Sequence, residues 1–474
     1  MGHRDDVASA VAERALADLQ RDAHSLDVAL HSVEVTVGRE PVLRAGCAPA
    51  GPDAPHRMYS VSKTVTGLAV GLLAAEGALD LDDPVLKHFG DMAPVHPWLE
   101  ATTLHHMLSM RGPHRSTTFK RVPGGWLESY FRVPPSHAPG TVFTYDTSAS
   151  YTLAALVERV TGTTVADYLR PRVLDPIGVS AGLRFLPSPE GVSHGGSGLV
   201  CSPHDLLLLA QLMLDGGVHE GRSLLPADYL ERATTPQAST SLLTWGSSLR
   251  HAYGYQLWLP PQGGWAMFGL GGQIVYGDPA RDLAVVVTAD TQACTGGDQR
   301  LIDLVLGGLL PALTGATPSA VPDTAHANPS ATAAPARTEL AWPAPSHDPA
   351  HAVAASGRWV RPTGGVGNDE GPAEIVLELG DGGGRLRSSD GWDLPLRFGE
   401  PAPARLDGDP AVVTAGWSSP STLDVRVAGL GDELATVRVR CVRAEDGSLT
   451  VQSQGFAETI GPGWTFHGTY SAAA

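Results

Sequence analysis

Lysine is nearly absent from this chain. Three occur among 474 residues, Lys63, Lys87 and Lys120, and every other basic side chain is arginine. Acidic residues outnumber basic ones by 50 to 33, for a formal net charge of −17. A nucleic-acid binder neutralises phosphates with clustered Lys and Arg, so this balance argues against that class. Cysteine is scarce as well. Cys47, Cys201, Cys294 and Cys441 lie far apart, with no CxxC or other ligand spacing. That pattern suits reduced, mostly buried thiols rather than a disulfide frame or a zinc site. Long apolar runs are missing too. The longest, near 67–75 and 206–214, fall far short of a membrane span. The start, MGHRDDVASA, shows neither the basic n-region nor the apolar h-region of a secretory signal. These absences lead us to expect a cytoplasmic protein with no membrane or nucleic-acid partner. They leave the oligomeric state open.

The rarity of lysine sharpens one question. Arginine keeps its proton near neutral pH, whereas a desolvated lysine can lose it. Each lysine in an arginine-using sequence therefore invites a chemical reason.

What is present is ample apolar content, 42%, over a length that suggests two or three domains. Val7, Val11, Ala15 and Leu19 recur at helical spacing. Residues 28–40 alternate as a strand, with PVLRAG as the hairpin partner. SVSKTVTGLAVGLLAAEG reads as a helix apolar nearly all round. TTLHHMLSM is a short helix opened by threonine, and further helices follow to about 214. YGYQLWLP, WAMFGLG, QIVYGDP and LAVVVTA then read as four successive antiparallel strands, closed by the helix RLIDLVLGGLLPAL. With strands at both ends and helices between, the ends meet in one sheet: an α+β catalytic domain with a helical insertion, over 1–314. Residues 315–350, rich in Ala, Pro, Ser and Thr, read as a linker. Residues 351–474 alternate in short strands with Gly/Asp turns. They predict a small all-β barrel or sandwich.

The sharpest chemical signal is Ser60-Val61-Ser62-Lys63 at the start of the apolar helix. Residues three apart share a helix face, so the Ser60 hydroxyl and the Lys63 amine can touch. The helix N-terminus and its apolar surroundings both favour a neutral amine, which can take the proton of Ser60. The plainer reading is a cap serine beside an exposed lysine. Tyr145 stands in an extended turn before a helix, where a phenol near an amine can shuttle protons. The plainer reading there is a packed tyrosine. Gly269-Leu270-Gly271-Gly272 mark a strand end where a backbone can approach closely. N–H groups there can complete an oxyanion hole with that of Ser60. His105, His106, His194 and His204 show no HExxH or other metal spacing, and capping or core roles suit them better. We expect no metal and no cofactor.

Taken in order, these segments resemble the class C β-lactamase branch of the β-lactamase and penicillin-binding-protein superfamily, with its esterases, D-peptidases, nylon-oligomer hydrolases and acyltransferases. The resemblance spans roughly residues 28 to 313. It rests on MYSVSKTVTGLAVGLLAAEGALDLDDPV, TTLHHMLSMRG, PGTVFTYDTSASYTLAALVERVTG and GGSGLVCSPHDLLLLAQLML. It implies that Ser60 is the acylated nucleophile, Lys63 its proton acceptor and Tyr145 a second general acid/base. It also implies an oxyanion hole from the backbone N–H groups of Ser60 and Gly272. Two positions depart from the family pattern. Tyr-x-Asn is here Tyr145-Asp146-Thr147, and Lys/His-x-Gly is here Gly269-Leu270-Gly271. Thr147, Gly271 and Gln273 are then the candidate substrate contacts, although a half-buried strand residue is the plainer reading of Gln273. The function implied is cleavage of a small ester, amide or peptide through a Ser60 acyl-enzyme. The alternatives are an acyltransferase or penicillin-binding-type thioesterase or cyclase, for which the C-terminal β-domain resembles a lipocalin-like appendage, and a non-catalytic binding protein on the same scaffold.

Overall fold

The computed structural model describes residues 2–243, 246–315, 338–348, 356–362, 371–457 and 460–473. The chain forms two compact units. The first holds residues 1–23, 30–289 and 298–340. The second holds 24–29, 290–297 and 341–474.

The first unit is built on a nine-stranded sheet. Its order is Thr338–Glu339, Glu40–Gly46, Ala29–Val37, Leu283–Asp290, Gln273–Asp278, Trp265–Gly269, Trp258–Leu259, Ala252–Tyr253 and Ala238–Ser239. N-terminal and C-terminal strands thus share one sheet, as the order of elements along the sequence predicts. The strands at its centre are buried along their whole length, because helices cover the sheet. The segment YGYQLWLP departs from expectation. It is two short strands rather than one, folded back so that Trp258 pairs with Tyr253. The cause is Gln256, which takes a φ of 56° and makes hydrogen bonds that a continuous strand would forbid. Its amide donates to the Met107 and Leu108 carbonyls and accepts from the Ser150 hydroxyl, while its own carbonyl accepts from Thr64. One buried side chain thereby ties together the segments that carry the candidate site.

The inserted helices end where their caps dictate. Asp146 caps the helix Thr147–Thr161, which stops at Gly162 with a φ of 72°. Ser202 and Asp205 form a reciprocal capping box on Pro203–Leu214, and Thr103 and His106 form one on Leu104–Leu108. The helix Ser62–Ala75 is buried from Ser62 through Leu73 and packs on Thr147–Thr161. Among the described residues no helix is long and apolar enough to cross a membrane. Most of the segment read as a linker, 316–337, lies outside the described residues. Its end adds the parallel edge strand Thr338–Glu339 beside Glu40–Gly46, with Leu340 buried behind it.

The second unit is an antiparallel sheet of ten strands that curls into a nearly closed barrel. An isolated bridge runs from Phe398, just past the first-ordered strand Asp393–Arg397, to Ala415 in Asp409–Ser419, the strand next to the last-ordered edge. The interior is filled by side chains such as Trp359, Leu377, Val413, Trp417, Val437, Val439 and Tyr470. The period-two pattern is clear in the strand Leu434–Arg443. Val437, Val439 and Cys441 point inward, while Arg440 faces out to pair with Asp424. Cys47, Cys201 and Cys441 are buried free thiols, and Cys294 is a half-buried one.

Candidate functional site

The site begins with a sharp backbone turn. Tyr59 takes a φ of 45°, a left-handed conformation that costs an aromatic residue about 1–2 kcal/mol. Three contacts hold it there. The ring is buried, the Arg57 guanidinium lies 4.7 Å from its centroid, and the Ser62 hydroxyl donates to the Tyr59 carbonyl at 2.5 Å. Ser62 also accepts from the Leu199 N–H at 2.8 Å. The two serines of the motif therefore have different tasks. Ser62 is buried and saturated, whereas Ser60 is half-exposed at the helix start. Ser62→Ala leaves the Leu199 N–H without its acceptor. We predict a loss of about 1–3 kcal/mol in stability, read by denaturant melts, while Ser60 remains reactive. A silent melt or a dead Ser60 would contradict this division of labour.

Lys63 is fully buried, with Nζ 2.8 Å from the Ser60 Oγ and 2.6 Å from the Gly196 carbonyl. Burial lowers its pKa from 10.5 to about 7, against an opposing attraction from Asp146. Desolvation wins because a lone carboxylate does not repay the loss of water around the ammonium. Tyr145 lies against Lys63, the amine 4.8 Å from the ring centroid. The ring stacks on Trp258 at 5.3 Å and meets Tyr253 edge-on. Burial pushes the phenol well above its ordinary pKa, opposed by its hydrogen bond with Ser60. It therefore holds its proton at neutral pH. The structure thus brings Ser60, Lys63 and Tyr145 together; helical spacing anticipated the first pair, and the resemblance implied the third.

Asp146 is buried beside them. Its carboxyl accepts from the Ser148 N–H at 2.8 Å and from the Ser148 hydroxyl, and burial raises its pKa. Thr147 is half-buried at the first position of the helix, where its methyl group packs close to Gly196.

The glycine turn needs two corrections. Gly269 abuts the nucleophile turn, since a Cβ there would sit 2.2 Å from the Met58 carbonyl. Gly271 and Gly272 follow at φ of 81° and 90°, which only glycine takes without strain. The Gly272 N–H, expected in the oxyanion hole, instead bonds the Gly269 carbonyl at 3.3 Å to close the turn. The Gly271 N–H is held by the Asp298 carboxylate at 3.0 Å. No such bond takes the Leu270 N–H among the described residues. Gln273 is likewise no substrate contact. It is fully buried, accepting from His56 and donating to the Ala289 carbonyl, both at 2.9 Å. An inward-facing strand position spends its amide on the fold.

Sequence reasoning missed the Gly196 carbonyl, the Trp258 stacking face and Asp298. A carbonyl acceptor leaves no mark on side-chain identity, Trp258 stands more than 100 residues from Tyr145, and Asp298 is 27 residues from the Gly271 N–H it holds. Of the histidines, His105 bonds Tyr255, His106 caps a helix and His204 pairs with Glu34. No three His, Cys, Asp or Glu side chains among the described residues gather to hold a metal.

An antiparallel sheet with a helical insertion, and a serine, a lysine and a tyrosine at their junction, define a β-lactamase-like fold. The chain belongs to the beta-lactamase family, whose model matches residues 13–307. It is 25% identical over 273 residues to the 6-aminohexanoate-dimer hydrolase of Paenarthrobacter ureafaciens, a match covering 51% of this chain and 67% of that one. Two solved structures share the fold. EstCE1, described as a hydrolase with promiscuous acyltransferase activity, superposes with a TM-score of 0.53 at 17% identity, over 64% of this chain and 100% of its own. SurE with D-Leu gives a TM-score of 0.51 at 19% identity over 100% of both chains, so that likeness extends through the C-terminal unit.

Proposed function

We propose that this chain is a serine hydrolase that cleaves a small ester or amide through an acyl-enzyme on Ser60. The observation that carries this reading is the fully buried Lys63, with a pKa near 7, bonded to a half-exposed serine. In this reading the Ser60 Oγ attacks the substrate carbonyl and its proton passes to Lys63 Nζ. The oxyanion accepts from the Ser60 N–H. Tyr145, still protonated, donates to the leaving group and recovers its proton from Lys63. Water then attacks the ester of Ser60, with the same groups acting in reverse, and releases the acid.

The same geometry disfavours β-lactams. The Asn of Tyr-x-Asn is Thr147, whose hydroxyl cannot give an amide's two-donor geometry. In place of a cation or imidazole at the glycine turn stands Gly269, which offers a substrate carboxylate only backbone. We predict measurable turnover of short p-nitrophenyl esters and cephalosporin turnover lower by orders of magnitude. Steady-state kinetics of both on one preparation test this. Cephalosporin hydrolysis as efficient as ester hydrolysis would refute it.

A further inference from the structure

We propose that a cluster of four aromatic rings, tied to the Tyr145 turn and to the Gly196 segment that holds Lys63, forms an acyl-binding subsite that selects aromatic or bulky, uncharged acyl groups; the inference rests on the serine-hydrolase reading above. Phe119 and Trp126 stack with centroids 4.3 Å apart and planes 14° from parallel. Tyr151 meets Phe119 edge-on at 5.5 Å, and His194 meets Trp126 edge-on at 4.9 Å.

Hydrogen bonds fix this cluster against the reacting groups. The Thr147 N–H donates to the Thr117 hydroxyl and the Thr118 N–H to the Ser148 hydroxyl, both at 3.2 Å. Phe119 is thereby seated at the turn that presents Tyr145. His194 lies two residues before Gly196, whose carbonyl holds Lys63. Glu190 joins the other side, accepting from the Tyr151 hydroxyl at 2.5 Å and from the Leu127 N–H at 3.4 Å. The wall is therefore built, with each ring anchored to an element of the site.

Its ring faces are apolar. His194 is 8% exposed, and burial, with help from the Arg57 and Lys63 charges, drops its pKa to about 3. The ring is neutral at working pH and offers an acyl group no charge. Phe119 and Trp126, by contrast, remain half-exposed although each is large and apolar. A fold that buries Trp258 and Trp265 almost completely in the same unit has left these two rings partly open. An aromatic acyl group would cover them and gain both apolar burial and ring–ring contact.

The test compares kcat/KM for p-nitrophenyl phenylacetate and p-nitrophenyl acetate in the wild type, Phe119→Ala, Trp126→Ala and Phe119→Tyr. The phenylacetyl-to-acetyl ratio is expected to fall about tenfold in each alanine variant, mainly through KM, and to be kept in Phe119→Tyr. A ratio within about twofold of wild type in both alanine variants would overturn the subsite. Should those variants fail to fold, the wild type decides. Benzylboronic acid is expected to inhibit about tenfold more tightly than methylboronic acid, and equal inhibition would overturn the proposal. If no ester is turned over and neither boronic acid binds, the serine-hydrolase reading itself has failed.

Discussion

Replacing Lys63 by arginine is expected to lower kcat/KM for an activated ester by about a thousandfold, nearly as much as replacing it by alanine. Arginine keeps the charge, the bulk and the hydrogen-bond donors, but it cannot shed its proton to accept another. A residue kept only for structure would tolerate the change within about tenfold, or ~1.4 kcal/mol of barrier. The wild type carries the matching signature. With Lys63 near 7, kcat/KM should rise with pH through that value, because the protonated amine cannot take the Ser60 proton. No fall from Tyr145 should follow in the neutral range, since its phenol ionises well above its ordinary pKa. The sign for stability runs the same way. An exposed lysine titrates near 10.5, so between about 7 and 10.5 the unfolded chain binds the extra proton. Lys63's contribution to stability therefore rises with pH across that window, and its cost is fully present below it. A group that weakens the fold at neutral pH in this way is most simply explained by chemistry.

Ser60→Ala is expected to lower kcat/KM by at least about ten-thousandfold and to remove every covalent adduct. The remaining donors can still bind and polarise a carbonyl, so a faint residual rate fits the account. Ser62→Ala should acylate normally, because Ser62 Oγ is committed to Tyr59 and Leu199. The comparison uses two serines two positions apart. A general collapse of the site would silence both variants, whereas loss of the nucleophile silences one.

Much of this was legible in the sequence because it is local. Helical spacing alone puts Ser60 and Lys63 in contact, and apolar residues all round the helix foretell a buried amine. Apolar runs between turns revealed the strands Trp265–Gly269, Gln273–Asp278 and Leu283–Asp290, and alternation revealed the all-β second unit. The failures share a different cause, which is long-range hydrogen bonding. Gln256 breaks one expected strand in two because its partners lie on three distant segments. Gln273 looked available for a substrate until the fold brought His56 and the Ala289 carbonyl to it. Gly272 sits where a donor was expected, but closing a turn through two glycines of positive φ consumes its N–H. Sequence patterns report which side chains share a face. They do not report which backbone groups the fold has already used.

The most direct test of the central claim is peptide mapping of the wild-type protein after brief exposure to a fluorophosphonate at pH 8, where Lys63 is largely neutral. The account predicts a single stoichiometric adduct on Ser60, slower to form at pH 6 than at pH 8 and absent from Ser60→Ala. An unmodified Ser60 peptide, or an adduct on any other serine, would contradict it.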